Sequence, residues 1–281
     1  MSGDSIEKAV NVLTALDSSK TEETTVEAGY SPESLDTVET KPAASEDFAY
    51  SKSSKVTVSD EHLRKNRVLT PGMDKATVNA YKILRTRVLR RMEQNSWSTL
   101  AITSPRPDEG KTLTAINLSI SLAQKLDYTV LLVDLDFSNP SIHKYFGFEP
   151  ECGLNDYLEG RVLLEETFVH PGIKKLLLLP TGKIEGNTSE MLSSSKMERL
   201  VAELKSRYAS RILILDLPPV LVGDDVLAFS NVADAFLLLA REGKTTTDEL
   251  QRTVELLETK NLLGTVLNRS SIMDQTSNYG Y

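Results

Sequence analysis

Short, almost unbroken apolar runs alternate along this chain with longer stretches whose apolar residues recur every third or fourth position. The runs Leu100–Ile102, Val130–Val133, Lys175–Pro180, Arg211–Leu217, Ala235–Ala240 and Leu263–Asn268 read as strands covered on both faces. The intervening stretches predict helices. Asp74 to Glu93 carries Val78, Tyr81, Leu84 and Val88 about one turn apart, and further helices are predicted after Thr112 and over Met197–Tyr208, Asp224–Val232 and Thr245–Lys260. Phe146 to Arg161 reads as a loop with a small helix. Strands alternating with helices of this length predict an α/β fold, a mostly parallel sheet with helices on both faces. There is no internal repeat.

The first 60 residues break the pattern. They hold twelve acids and five bases, which accounts for nearly all of the chain's net charge of −8. Few large apolar residues interrupt their Ser, Thr, Glu and Ala, so residues 1–60 are expected to form a mostly disordered acidic tail. Within it, Asp4 with Glu7 resembles a capping box, and Ile6, Val10, Leu13 and Leu16 recur at helical spacing, predicting one short amphipathic helix. Residues 61–270 are assigned to the α/β body and 271–281 to a flexible tail containing Tyr279 and Tyr281. On the predicted 74–93 helix, Arg85, Arg87, Arg90 and Arg91 crowd the faces away from the apolar stripe, a solvated surface or a contact face. The acidic balance argues against bulk nucleic-acid binding. One cysteine, Cys152, excludes an internal disulfide framework, nothing resembles a signal peptide, and no apolar run approaches the ~18–20 residues of a membrane span. A cytoplasmic location is the expectation.

The chemistry lies between Ser98 and Asp136. A predicted strand leads into a polar turn, then Asp108-Glu109-Gly110-Lys111-Thr112-Leu113 opens a helix, and the next strand ends on Asp134 and Asp136. A nucleoside triphosphate with Mg²⁺ needs such parts: backbone N–H groups at a helix start for the phosphates, Lys111 for their terminal charge, and the Thr112 hydroxyl for the metal. The usual G-x-x-x-x-G-K-[ST] phosphate loop has glycine where this chain has Pro105. The surrounding strand–loop–helix–strand order compensates, and the fold expected is that of a P-loop NTPase. Asp216, after a third apolar run, adds another strand-end carboxylate. Mg²⁺ takes one or two carboxylates beside phosphate and water, which leaves one free to accept a proton. Asn268 after the last strand either meets a base edge or caps the strand, and Arg241 either lines the pocket or is a loop charge. His143 and Cys152 have no partners at metal-ligand spacing.

Taken in order, these residues resemble the bacterial tyrosine autokinases of capsule and exopolysaccharide assembly. Asp134-Leu135-Asp136 with Pro140 is similar to that family's second acidic box, and Asp216-Leu217-Pro218-Pro219 to its third. Gly153-Leu154, Leu158-Glu159-Gly160, Asn187 with Glu190-Met191-Leu192, Arg241 with Gly243-Lys244-Thr245, and Val266-Leu267-Asn268 extend the resemblance over about residues 75–270. The opening Ser5-Ile6-Glu7-Lys8-Ala9-Val10 is similar to members that accompany exosortase-linked polysaccharide systems. The resemblance implies a kinase dependent on ATP and Mg²⁺, activated by the cytoplasmic tail of a membrane polysaccharide chain-length regulator and recruited to the inner face of the membrane. It implies that such a kinase phosphorylates its own tail between neighbours of a ring, here Tyr279 or Tyr281. By position, Lys111 holds phosphate, Thr112 and Asp136 serve the metal, Asp134 is the base and Asp216 the further metal partner.

Departures from the family pattern carry their own expectations. Asp108 replaces a loop glycine, so the turn is expected to place Asp108 in a left-handed conformation with its charge near the phosphates, weakening ATP binding. The helix pattern Glu-x-x-Arg-x-x-Arg that builds the family's ring reads Asn79, Lys82, Arg85, and Ser138 and Asn139 replace arginines of the second box. Partition and septum-positioning ATPases form the competing resemblance, with Arg106 in the place of their signature lysine. A nucleotide-gated adaptor without catalysis is the third reading.

Overall fold

The computed structural model describes residues 53–270, apart from 126–127, 183, 185, 207–209 and 258–259. The predicted 4–16 helix and both tail tyrosines lie outside the described residues.

Eight strands form one sheet: β1 (Ser54–Lys55), β2 (Thr99–Thr103), β3 (Thr129–Asp134), β4 (Val169–His170), β5 (Leu176–Leu179), β6 (Arg211–Asp216), β7 (Ala235–Arg241) and β8 (Leu262–Asn268). Their spatial order is β1-β4-β5-β3-β6-β2-β7-β8, parallel throughout except where β4 meets β5. The six long runs of the sequence are the six strands of four or more residues. β1 and β4 were not predicted: each has two residues and is held by backbone pairing, Ser54 opposite Val169 and Lys55 opposite His170. Residues 54–55 therefore belong to the body, which starts earlier than the 61–270 assignment.

The helices are α1 (Asp60–Lys65), α2 (Lys75–Gln94), α3 (Lys111–Ala123), α4 (Ile142–Phe146), α5 (Leu154–Leu158), α6 (Thr188–Leu192), α7 (Ser195–Ser206), α8 (Asp225–Phe229) and α9 (Thr247–Leu256). Alternation along each strand feeds two separate cores. Leu100 and Ile102 of β2 pack with Ile116, Leu118 and Leu122 of α3 and Val88, Leu89 and Met92 of α2. Ala101 joins the opposite core with Met197, Leu200, Val201 and Leu204 of α7. Those four α7 positions follow the i, i+3, i+4, i+7 stripe of a helix covered on one side. Helix α3 is buried almost all round, because α2 covers the face that β2 and β3 do not. Of the four arginines of α2, Arg87 and Arg90 are exposed as a solvated face requires, while Arg85 and Arg91 are partly buried. Arg85 donates to the Ser121 carbonyl at 2.8 Å and Arg91 to that of Leu263, tying α2 to α3 and β8.

Parallel pairing brings the functional carboxylates together. Asp134 is the register partner of Asp216, and Asp216 that of Ile102, one residue before the end of β2. The carboxyl ends of β3, β6 and β2 thus lie side by side under the loop that follows β2, where open parallel sheets bind ligands.

Candidate nucleotide site

Gly110 is the N-cap of α3 at φ 93°. A side chain there would be strained by that φ, and its Cβ would lie 2.1 Å from Asn268 Nδ2, so only glycine fits this turn. Lys111, Thr112 and Leu113 fill the first helical turn, whose N–H groups have no intrahelical partner and form the cradle a phosphate requires. The Leu113 side chain itself packs against the sheet core, so only its backbone is available to a nucleotide.

The loop is braced from β7 and β8. Glu109 is fully buried; its carboxylate accepts from the Arg106 N–H at 3.0 Å and from the Thr245 hydroxyl. Thr245 Oγ1 in turn accepts from the Arg241 N–H at 2.7 Å. Asn268 Nδ2 donates to the Glu109 carbonyl at 2.8 Å and its Oδ1 accepts from Arg269 N at 2.9 Å. Glu109 and Asn268 are therefore committed to holding the loop, rather than presented to a nucleotide. Arg241, at the end of β7, contributes its backbone to the same brace and keeps its side chain half-buried. Arg106 pairs with Glu249 at 2.7 Å on the exposed side of the loop.

Asp108 has the left-handed backbone expected of it, φ 62°. Its carboxylate, however, is 82% exposed and 3.8 Å from Lys244 Nζ. The expected brake on ATP binding is thereby corrected: solvent and a neighbouring cation screen this charge. Asp108→Gly should leave ATP affinity within about fivefold of the parent, because a screened charge of this kind is worth about 0–1 kcal/mol. Parallel fluorescent-nucleotide titrations at low and physiological salt check this, and a tightening above tenfold would restore the brake.

Behind the loop, Lys111 Nζ lies 2.6 Å from Asp136 Oδ2, and both side chains are almost buried. Burial works against the lysine's charge, but Asp216, Asp136 and Asp134 outweigh it and raise its pKa. Asp134 is held differently. Its oxygens accept the N–H groups of Ser141 at 3.0 Å, Ile142 at 3.1 Å and Asp136 at 3.2 Å, which fixes the β3–α4 turn. The expectation that Asp134 takes the substrate proton does not fit this geometry, since three backbone donors already occupy a fully buried carboxylate. Asp136 is the acid turned toward the lysine and the phosphate cradle. Asp216 is fully buried and neither of its oxygens has a hydrogen-bond partner, although Thr112 and Lys111 lie close enough to pull its pKa down. Burial dominates and raises the pKa values of both Asp134 and Asp216, with mutual repulsion adding to the shift of Asp134.

This cluster fits Mg²⁺. Three carboxylates face one lysine, and the two orphaned oxygens of Asp216 stand beside the Thr112 hydroxyl, a hard oxygen set. Among the described residues no group of three or more His, Cys, Asp or Glu is arranged to hold a metal by itself. That accords with an ion completed by nucleotide phosphate and water. Thr112 and Asp216 are the residues that would hold it, whereas Asp136, expected from the resemblance to serve the metal, is paired with Lys111 instead. Tyr145 of α4 was not singled out from the sequence. It is half-buried in the field of Asp216, Lys111, Arg269 and Asp108, and burial first, then Asp216, pushes its pKa up. A lone aromatic on a short helix gave no signal of this.

A phosphate cradle at the head of a parallel sheet, with a buried lysine and strand-end carboxylates beneath it, defines a nucleoside triphosphate-binding P-loop domain. Residues 100–278 match the family model described as CobQ/CobB/MinD/ParA nucleotide binding domain. The chain is 34% identical over 203 residues to the tyrosine-protein kinase YwqD of Bacillus subtilis, covering 72% of this chain and 84% of that protein. It is 31% identical over 195 residues to the tyrosine-protein kinase etk of Escherichia coli K12, covering 69% of this chain but only 26% of that longer protein. The solved kinase domain of Escherichia coli ETK superposes with a TM-score of 0.65 at 27% identity, covering 81% of this chain and 91% of that one. The chain belongs to the bacterial tyrosine-protein kinases. Among the described residues no helix is long and apolar enough to cross a membrane.

Proposed function

We propose that the protein transfers the γ-phosphoryl group of ATP to tyrosine, with its own Tyr279 and Tyr281 as acceptors. The observation that carries this is the Lys111–Asp136 pair beside the unpartnered Asp216, directly beneath the phosphate cradle. In the reaction the tyrosine phenolic oxygen bonds to the γ-phosphorus, the bond from that phosphorus to the β-phosphate bridging oxygen breaks, and ADP leaves. The phenolic proton passes to Asp136, which is freed as Lys111 turns to the phosphates. Bound Mg²⁺ supplies charge neutralisation on the phosphates. Lys111 stabilises the charge of the transferring group, and Asp134 keeps the turn bearing Asp136 in place.

The finer biological reading rests on the family resemblance. It is regulation of exopolysaccharide or capsule assembly at the inner face of the membrane, with the cytoplasmic tail of a chain-length regulator as activator and a homo-oligomer as the working form. Arg85, which stands in the ring-forming helix pattern, spends one donor on Ser121. Any ring therefore uses contacts other than that donor.

The test is phosphosite mapping by mass spectrometry after incubation with ATP and Mg²⁺, with and without a regulator-tail fragment. Phosphotyrosine at 279 or 281, absent from a Tyr279→Phe/Tyr281→Phe double variant, is expected. ATP hydrolysis with no phosphotyrosine would replace this reading with that of an ATPase switch, and neither activity would leave the adaptor.

A further inference from the structure

A strap of chain, residues 53–70, precedes α2 and contributes no side chain to the site described above. It begins at the sheet edge as β1, where the Ser54 N–H donates to the Phe168 carbonyl at 3.0 Å and the Val56 N–H to that of His170 at 3.2 Å. Val56 and Val58 then lie against the core that contains α3. α1 follows for local reasons: the Ser59 side chain caps it, Asp60 and Glu61 occupy its first turn, and Leu63 is its buried residue. The chain then turns back through Arg67 at φ 59°, with the Val68 N–H on the Leu63 carbonyl at 2.9 Å. Asn117 of α3 holds the far end. Its Oδ1 accepts from the Leu69 N–H at 2.8 Å and its Nδ2 donates to the Arg67 carbonyl at 3.0 Å.

Between these two anchors α1 lies on α4, and His62 makes the contact. Its Nε2 is 2.9 Å from the Lys144 carbonyl, which can only accept, so the ring carries a proton on Nε2. Gly147, the C-cap of α4 at φ 75°, makes room for the ring: a Cβ there would lie 2.9 Å from its Cδ2 and Nε2. The His62 backbone is pinned in turn, its N–H on Ser59 Oγ at 3.4 Å and its carbonyl under Asn66 Nδ2 at 3.0 Å. α4 needs such support, because a helix of five residues does not hold its conformation alone. Asp134 fixes its first residues through the Ser141 and Ile142 N–H groups, and His62 fixes its end.

We propose that His62 is a positioning residue: the strap clasps α4 to α3, and through α4 it sets where Asp136 stands relative to the phosphate cradle. The proposal rests on the kinase reading and adds to it a residue that lies before residue 75, where the family resemblance begins. Strand pairing does not place Asp136, which lies two residues beyond Asp134, the last residue of β3. The turn into α4 does, since the Asn139 N–H donates to Asp136 Oδ1 at 3.0 Å. Lys111 holds the other oxygen at 2.6 Å, but that contact is given up when the lysine turns to the phosphates, and Asp136 is then left to the turn. The cradle opens α3, and Asn117 lies further along the same helix. One short strap therefore holds both partners of the transfer step, with His62 on the side of the base and Asn117 on the side of the phosphates.

The test combines hydrogen exchange, read by mass spectrometry on the full chain, with single-turnover phosphate transfer and titration of a non-hydrolysable ATP analogue. His62→Ala is expected to speed exchange at residues 142–148 about two- to tenfold, the loss of one hydrogen bond to the helix end, and to leave residues 114–122 unchanged. Transfer should slow about fivefold or more while analogue affinity stays within about twofold, a loss in kcat and not in binding. His62→Gln, which keeps a side-chain N–H donor, should recover most of both. Gly147→Ala should reproduce the defect in the parent, where its methyl displaces the ring, and add less to His62→Ala. Unchanged exchange at 142–148 in His62→Ala, unchanged transfer despite loosening, or His62→Gln as impaired as His62→Ala would each overturn the proposal. Loosening of α4 by His62→Ala, reversed by His62→Gln, in a protein whose parent transfers no phosphate would leave the clasp standing and overturn the kinase reading alone.

Discussion

Lys111→Met is expected to abolish measurable ATP binding and, at pH 8, to lower the stability of the nucleotide-free protein by about 3 kcal/mol. The first effect follows from the motif, since Lys111 is the cation at the head of the cradle. The second follows from the structure. Lys111 is nearly buried against Asp136, with Asp134 and Asp216 raising its pKa further. Removing one partner of a buried pair leaves the other charge uncompensated, which costs about 3–5 kcal/mol. Here three carboxylates would share that fate. The pH dependence has a definite sign. Burial raises the folded-state pKa values of Asp134 and Asp216, so the folded chain holds protons that the unfolded chain has released. Stability from such groups is fully present below the ordinary carboxylate pKa of about 4 and is lost as pH rises through the raised values. Losing the lysine raises them further. Thermal melts of parent and Lys111→Met should therefore lie close together at pH 5 and separate as pH rises to 8. Mg²⁺ with nucleotide should flatten the parent's decline and leave the variant's unchanged. Equal melting temperatures at pH 8 would show that the three carboxylates do not depend on this lysine.

That second effect marks where the sequence stops being informative. The apolar runs became the six longer strands because a strand buried on both faces must be apolar throughout, and α7 was legible from its stripe Met197, Leu200, Val201, Leu204. The phosphate loop was legible because its order of strand, loop, helix and acidic strand end is carried by adjacent residues. β1 and β4 left no trace, since two residues paired through their backbones need no side-chain pattern. The division of labour among the acids was hidden for a related reason. Asp134 and Asp136 are two residues apart and chemically identical, and what separates them is where the N–H groups of Ser141 and Ile142 fall once α4 turns back over β3. Asp108 could be assigned its left-handed backbone from local rules, but the outward direction of its carboxylate depends on Lys244, 136 residues away.

The two acids of the second box can be told apart by paired substitutions. Asp136→Asn should leave ATP affinity nearly unchanged while slowing tyrosine phosphorylation by about 10²–10⁴-fold, the usual contribution of a positioned base. The amide keeps the shape of the carboxylate and can still accept the Asn139 N–H, but it can take no proton. Asp134→Asn should act in another way. Its carboxylate accepts three backbone N–H groups through two oxygens, and an amide offers one oxygen and turns its NH₂ toward a donor. Leaving a buried donor unsatisfied costs about 1–3 kcal/mol, so this variant should melt several degrees lower and lose activity mainly through the misplaced β3–α4 turn. The measurements are single-turnover phosphotransfer from labelled ATP, nucleotide titration and thermal melting on both proteins. A deep loss of transfer in Asp134→Asn with an unchanged melting temperature, and a mild loss in Asp136→Asn, would return the base to Asp134. The opposite pattern assigns the proton to Asp136, because a variant that binds nucleotide as the parent does while transfer stops has lost the base and not the cradle.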